Sequence, residues 1–168
     1  MKLKQFIFAL VAMLSGFAFT ANAQVAKVGN TEYSTIDEAI AKWTNGTTLT
    51  LLADVQLSDV IKLNSTEHHI LDLGTYTMTA VSGKNAIEIV AYGTGDSERT
   101  ALTVDADASN PGGINAPKKS CIFYNYSNGQ TSANDRPIID IKGGVFTGST
   151  ETVVDQNVFG KEIVTGQS

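Results

Sequence analysis

The sequence predicts an all-β protein with a single amphipathic helix near its N-terminus. One segment, residues 35–46, has helical periodicity and helix end signals. The later apolar runs are short and are separated by turn residues, which is typical of many short strands. A strand-and-turn pattern also recurs late in the chain, which favours a solenoid of stacked repeats. A short solenoid is therefore the favoured architecture, and an immunoglobulin-like β-sandwich is the alternative.

The predicted helix has a start signal, an apolar face and a stop signal. Thr35 and Glu38 match the T-x-x-E capping box, which satisfies backbone amides left free at a helix start. Gly46 stands where a left-handed residue commonly ends a helix. Four apolar residues at i, i+3, i+4 and i+7 share one face: Ile36, Ala39, Ile40 and Trp43. We expect this face to be buried, so that the helix forms a lid on the β-structure.

Residues 1–23 have the composition of a secretory signal peptide. Lys2 and Lys4 precede the apolar run 6–19, and the small-residue site Ala21-Asn22-Ala23 follows it. The run is shorter than the roughly 20 apolar residues that span a bilayer. We therefore expect an exported chain that begins at Gln24, with no membrane span. Its location would be the periplasm, the cell surface or the medium.

Charge and cysteine content limit which partners the chain can bind and which bonds can stabilise it. The formal charge is −5, and loss of Lys2 and Lys4 on cleavage makes it more negative. An acidic chain without a basic stripe is a poor candidate for binding nucleic acid. Cys121 is the only cysteine, so the chain forms no internal disulfide. Its apolar surroundings predict a buried thiol.

Seven short runs are predicted as strands, with Gly- and Asn-rich turns between them. The turns include Asn45-Gly46, Ser82-Gly83, Asn110-Pro111-Gly112-Gly113 and Gly143-Gly144. The predicted strands are Leu49–Leu52, Val60–Leu63, Ile70–Leu73, Ile87–Ala91, Ala101–Val104, Cys121–Tyr124 and Ile138–Ile141.

Two stretches repeat one pattern of aliphatic, Asp, Gly, aromatic and Thr residues. The first runs from Ile70 to Thr77 and the second from Ile138 to Thr147. Their aspartates, Asp72 and Asp140, are 68 residues apart (140 − 72), which three solenoid turns of about 20 to 25 residues would cover. A repeated strand-and-turn sequence pattern is also compatible with a β-sandwich.

The order of these segments resembles a known family. Val28–Tyr33, the helix STIDEAIAKW, the strand NGTTLTLLADV and then ILDLGTYTMT are similar to the start of bacterial right-handed parallel β-helix repeat proteins, which are pectate-lyase-like secreted and surface proteins. The stretch IIDIKGGVFTG resembles a later rung. The resemblance implies an N-terminal segment and capping helix over 24–47. It also implies β-helix rungs over 48–168, incomplete at their C-terminal end.

The same resemblance raises the alternative of a truncated or degenerate polysaccharide lyase or glycosidase. Such enzymes hold calcium with carboxylates and use a basic residue. Here Asp105 and Asp107 echo the opening of a calcium loop, but no acidic residue completes it, so a solvated turn is the favoured interpretation. Arg99 and Arg136 stand apart from any catalytic pattern. We expect no catalytic residue, metal or cofactor.

His68 and His69 are also interpreted as structural. Adjacent histidines on an extended chain point in opposite directions and do not converge on one metal. We expect them to form a polar turn before Ile70.

Tyr124, Asn125 and Tyr126 form the candidate binding site. Aromatic faces with flanking amides suit sugar rings, because apolar stacking combines with directional hydrogen bonds. The sequence therefore favours a non-catalytic module with a structural, adhesive or glycan-binding role. Its expected partners are a polysaccharide or surface protein and, at an uncapped end, a second copy of the chain.

Overall fold

The computed structural model describes residues 23–64, 66–89, 100–124 and 137–148. These residues form thirteen short strands and one short helix, so the protein is mainly β as the sequence predicts. The elements are β1 (Ala26–Val28), β2 (Thr31–Tyr33), α1 (Ile36–Ile40), β3 (Thr48–Leu51), β4 (Val55–Gln56), β5 (Ile61–Leu63), β6 (His68–Asp72), β7 (Thr77–Thr79), β8 (Ile87–Ile89), β9 (Ala101–Asp105), β10 (Gly113–Asn115), β11 (Ile122–Tyr124), β12 (Ile138–Ile141) and β13 (Val145–Thr147).

The strands form three sheets that the chain visits in a fixed order. The first sheet has the order β12-β9-β6-β3-β1-β2, the second β13-β10-β7-β4 and the third β11-β8-β5. We call one visit to the three sheets a circuit. The first circuit is β3-β4-β5, the second β6-β7-β8, the third β9-β10-β11, and β12-β13 begin a fourth.

Strands of successive circuits pair in parallel. Every described pairing is parallel except those of β1, which lies antiparallel to β2 and to β3. This connectivity does not match the antiparallel pairing expected of the β-sandwich alternative. The sheets are therefore parallel except at β1 and β2, and the long-range pairing holds each circuit against the one before it.

The core lies between the sheets and is built by stacked apolar side chains. Leu49, Leu71 and Val104 occupy equivalent register positions in the first sheet and are fully buried. Ile61, Ile87 and Ile122 form the same kind of stack in the third sheet. Because burial of one such side chain stabilises the fold by about 1.5 to 3 kcal/mol, these stacks dominate its stability.

Short polar side chains join neighbouring circuits at the points where strands begin. Asn and Asp favour such positions because their oxygens accept hydrogen bonds from nearby backbone amides. Three of these bonds link the circuits: Asn45 to the amide of His68 at 3.0 Å, Asp54 to that of Thr77 at 2.8 Å, and Asn85 to that of Ser120 at 3.1 Å.

The helix is capped as predicted but is shorter than its apolar periodicity suggested. Thr35 is the N-cap, and its hydroxyl oxygen accepts from the amide of Glu38 at 3.3 Å. The helix ends at Ile40, so Trp43 lies beyond it in a turn. Thr47 stabilises this turn, because its hydroxyl donates to the carbonyl of Thr44 at 2.6 Å and accepts from the Thr44 amide. Trp43 is nevertheless buried, as expected. Gly46 has a left-handed conformation but does not end the helix as predicted, because the C-cap is Ala41.

Other sequence predictions need correction. The second sheet was missed, and Gly113, assigned to a turn, begins β10. His68 and His69 belong to β6 instead of a turn. The aspartates Asp72 and Asp140 are separated by two circuits instead of three, because β12 pairs with β9 and β9 with β6. The second and third circuits are longer than the assumed repeat, because Ile70 pairs with Thr103 and Thr103 with Asp140. The first circuit, in which Thr48 pairs with Ile70, has the assumed length.

Residues 1–22, most of the predicted signal peptide, lie outside the described residues. Within the described ranges, no helix has the length and apolar character needed to cross a membrane.

Candidate functional site

A cavity of about 350 Å³ lies between the turn after α1 and the first strand of the third sheet. Ile40 and Trp43 form one wall. Strand β5 and Asn64 form another, and Glu67 and His69 complete the lining. The cavity therefore combines an apolar interior with an amine, an amide, a carboxylate and an imidazole, which is the composition of a small-molecule site.

Trp43 is held in place by its indole nitrogen. Nε1 donates to the carbonyl of Thr47 at 3.0 Å and to that of Ile70 at 3.1 Å. Both acceptors are backbone groups, so the ring is fixed by the fold itself. Buried indoles commonly find a partner for this N–H, because an unpaired donor in the interior is costly.

His69 packs its ring edge-to-face against Trp43, with ring centroids 4.9 Å apart and an interplanar angle of 69°. It is 4% exposed, whereas its neighbour His68 is exposed, as strand alternation requires. Its Nε2 lies 3.4 Å from Oε2 of Glu67. Among the described residues, its Nδ1 has no hydrogen-bond partner.

The environment of His69 favours the neutral imidazole. Burial lowers the pKa of His69 below its usual value, and the nearby His68 adds to that effect. Glu67 acts in the opposite direction, because its carboxylate stabilises the imidazolium. Burial has the larger effect, so the pKa remains lowered and the ring is uncharged at neutral pH.

Of the three sequence-predicted binding residues, only Tyr124 lies within the described residues. Tyr124 ends β11, in register with Ile89 of β8. Asn125 and Tyr126 lie outside the described residues. The sugar-binding role of these three residues therefore stays a prediction.

The acidic pair Asp105 and Asp107 accepts local hydrogen bonds, and Oδ1 of Asp105 accepts from the amide of Ala106 at 2.9 Å. Oδ1 of Asp107 accepts from the hydroxyl and amide of Ser109, at 2.6 and 2.8 Å, and from the amide of Asn110 at 2.9 Å. These bonds lower the pKa of Asp107, the Ser109 hydroxyl most of all. Across the described part of the chain, no group of three or more His, Cys, Asp or Glu residues could hold a metal ion.

Cys121 is buried, as predicted, and lies between the second and third sheets. Its sulfur is 3.2 Å from the carbonyl of Ile114 and 3.3 Å from that of Thr147. Burial raises the pKa of Cys121 to about 11, although hydrogen bonds with the backbone of Ala116 and Thr147 oppose that shift. The thiolate needed for nucleophilic chemistry is therefore scarce at neutral pH.

Sequence reasoning missed the cavity. Its residues come from three separate segments, which meet only because β6 pairs with β3 behind the turn that carries Trp43. One signal was present: Glu67, His69 and Leu71 alternate along an extended run, which would have placed His69 on the buried face beside Leu71.

Comparisons with protein-family models, with curated proteins and with solved structures found no match to this chain.

Proposed function

We propose that this chain is an exported, non-catalytic module of a short right-handed parallel β-helix that binds glycans at the bacterial surface. The observation that carries the proposal is the repeated visit to three parallel sheets, each of which gains one strand per circuit. The sequence resemblance to secreted β-helix proteins supports it independently. Such repeats give a rigid stack on which loops can be displayed.

The proposed binding residues lie in the chain segments that connect the third sheet to the first. The first such connection spans only residues 64–67, whereas the next two span 90–100 and 125–137. Longer insertions in repeat proteins map to one side, which is often the binding face. The last of these connections begins with Asn125 and Tyr126, directly after Tyr124, and so includes most of the candidate sugar site.

Retention on polysaccharides tests the binding role. The chain from Gln24 onward is passed over a panel of insoluble bacterial and plant polysaccharides, and the bound fraction is measured. We expect Tyr126→Ala and Asn125→Ala to weaken binding by about tenfold, because each removes one stacking or amide contact. Asn30→Ala, in an exposed turn, is the control and should bind normally. Absence of retention on every polysaccharide would refute the glycan-binding role.

Export is tested separately by the N-terminal sequence of the protein recovered outside the cytoplasm. A start at Gln24 is expected, because the small-residue site ends at Ala23. Retention of the apolar run 6–19 in the recovered protein would contradict cleavage.

We also propose that a second copy covers the last described strands. Ile138 and Val145, on β12 and β13, are 37% and 44% exposed, and these strands are the outermost described members of their sheets. Exposed apolar residues on an edge strand favour pairing with another chain. Light scattering over a concentration series should show association that Val145→Lys weakens. Lys62→Ala is the control, and a monomer at all concentrations would contradict the proposal.

A further inference from the structure

We propose that the cavity beside Trp43 is a second binding site, which takes one uncharged pyranose ring. The inference rests on the proposed glycan-binding function but places a contact far from residues 124–126 along the chain. Three features of the cavity support this ligand class: balanced charge, an apolar wall and an unpaired strand edge.

The charges around the cavity cancel. Lys62 contributes an ammonium group and Glu67 a carboxylate, while the buried imidazole of His69 is neutral. Asn64 adds an amide that both donates and accepts hydrogen bonds. Complementarity therefore favours a ligand without net charge that carries several donors and acceptors, as the hydroxyls of a neutral sugar do.

Part of the cavity lining is apolar. Ile40, Leu63 and the indole of Trp43 contribute to it. A pyranose has an apolar face of C–H groups besides its hydroxyl rim, so it matches a lining that contains both apolar and polar side chains. The volume, about 350 Å³, lies near the small end of the range for small-molecule sites.

The backbone of β5 supplies further hydrogen-bonding groups. Among the described strands, β5 pairs only with β8, and the amide of Ile61 donates to the carbonyl of Ala86 at 2.9 Å. Because amide direction alternates along a strand, the amide and carbonyl of Lys62 point away from β8. An edge of this kind offers a donor and an acceptor side by side, which sugar hydroxyls can engage together.

Trp43 provides a direct test, because it is the only tryptophan of the chain and lines the cavity. The intact chain is titrated with neutral methyl pyranosides and its tryptophan fluorescence is recorded. Glycine, a uronic acid and glucosamine serve as zwitterionic, anionic and cationic probes. We expect a saturable change with at least one neutral pyranoside and a weaker or absent change with the three charged probes.

Variants of the polar lining locate the site. Asn64→Ala and Glu67→Gln should each weaken the fluorescence-detected binding by about tenfold, since each alters one polar contact. Asn30→Ala and Glu32→Gln are matched controls in exposed positions and should bind as the parent does. Thermal unfolding of each variant identifies any general loss of structure. Because Glu67 also contacts His69, Asn64→Ala is the decisive variant.

Three results would overturn the inference: no neutral pyranoside alters the fluorescence, a charged probe binds more tightly, or Asn64→Ala binds normally. Retention on polysaccharide that persists with unchanged tryptophan fluorescence would refute this site alone. In that case the proposed function would stand, with its contact outside the cavity.

Discussion

The indole nitrogen of Trp43 donates a hydrogen bond across 3.1 Å to the carbonyl of Ile70, in the second circuit. The residues are 27 positions apart, so this bond joins the turn after α1 to a strand that lies much later in the sequence. The same nitrogen bonds Thr47, just before β3. Trp43 therefore fastens the helical segment to two circuits at once, besides burying its ring.

Replacement of Trp43 should reveal both contributions. Trp43→Ala should lower the free energy of unfolding by about 3 to 5 kcal/mol, as large aromatic truncations do. Trp43→Phe keeps an aromatic ring but removes the N–H, so two backbone carbonyls lose a partner and the loss should be smaller. Urea denaturation measures both values. Lys42→Ala, exposed and next in sequence, is the control, and an unchanged stability of Trp43→Ala would show that the segment is no lid.

Stability should depend on the protonation of His69. Burial lowers its pKa below the ordinary 6.5, so the unfolded chain takes up this proton first as the pH falls. The contribution of the neutral ring is complete above about pH 6.5. It declines as the pH falls from there to the lowered pKa of the folded state. Protonation of Asp59 and Asp107 affects stability only in a more acidic range, because the pKa values of both carboxyl groups lie below 3.8.

Urea denaturation at a series of pH values measures this dependence. His69→Phe keeps a ring against Trp43 and removes the titration, so its stability should vary less over the weakly acidic range. His68→Gln, on the exposed side of β6, is the matched control and should change the profile much less, because His68 is the smallest influence on the pKa of His69. Identical profiles for the parent and His69→Phe would show that His69 does not determine the dependence.

The thiol of Cys121 should resist alkylation in the folded protein. It is fully buried and its pKa is raised to about 11, so both access and ionisation are unfavourable at pH 8. Iodoacetamide labelling followed by mass spectrometry should show slow modification in buffer and rapid modification in urea. Labelling of the native chain as fast as that of the unfolded chain in urea would contradict the buried position.

Gly112 should not accept a side chain. A Cβ atom built there would meet the backbone of Tyr76, with the amide nitrogen only 2.6 Å away. Gly112→Ala should therefore destabilise the fold by about 1 to 3 kcal/mol, since the backbone must move. Gly143→Ala is the comparison, because its nearest contact is the Ala106 amide at 3.3 Å and its loss should be smaller. Equal melting temperatures for the two variants would refute this packing.

The sequence predicted most strands of the first and third sheets but none of the second. In the predicted strands, apolar residues alternate over several positions, as in Ile138–Ile141 and Ile61–Leu63. The second sheet consists of strands of two or three residues, such as Val55–Gln56 and Gly113–Asn115. Such short strands are too brief to show a period-two alternation of apolar residues. Their conformation is imposed by pairing with neighbouring circuits, which no local window contains.

The cavity was beyond local prediction for a related reason. Trp43 was correctly assigned to a buried face, yet its partner His69 was placed in a turn. The contact between them depends on the register of β3 against β6, in which Thr48 pairs with Ile70. The repeated motif around Asp72 and Asp140 illustrates the same limit, because Ile70, not Asp72, shares a register position with Asp140. This shift of two residues keeps inward-facing side chains inward, so apolar patterning does not reveal it.

The bonds from Asn45, Asp54 and Asn85 to the following circuit bear on misfolding. Stacked circuits with similar alternation could mispair by two residues without exposing their apolar faces. Each of the three side chains, however, meets its backbone amide at only one offset. A slipped circuit would forfeit these bonds, although its hydrophobic burial would survive. These three polar residues therefore disfavour kinetic traps in which a circuit is mispaired. Replacing them should enlarge the population of mispaired chains during refolding.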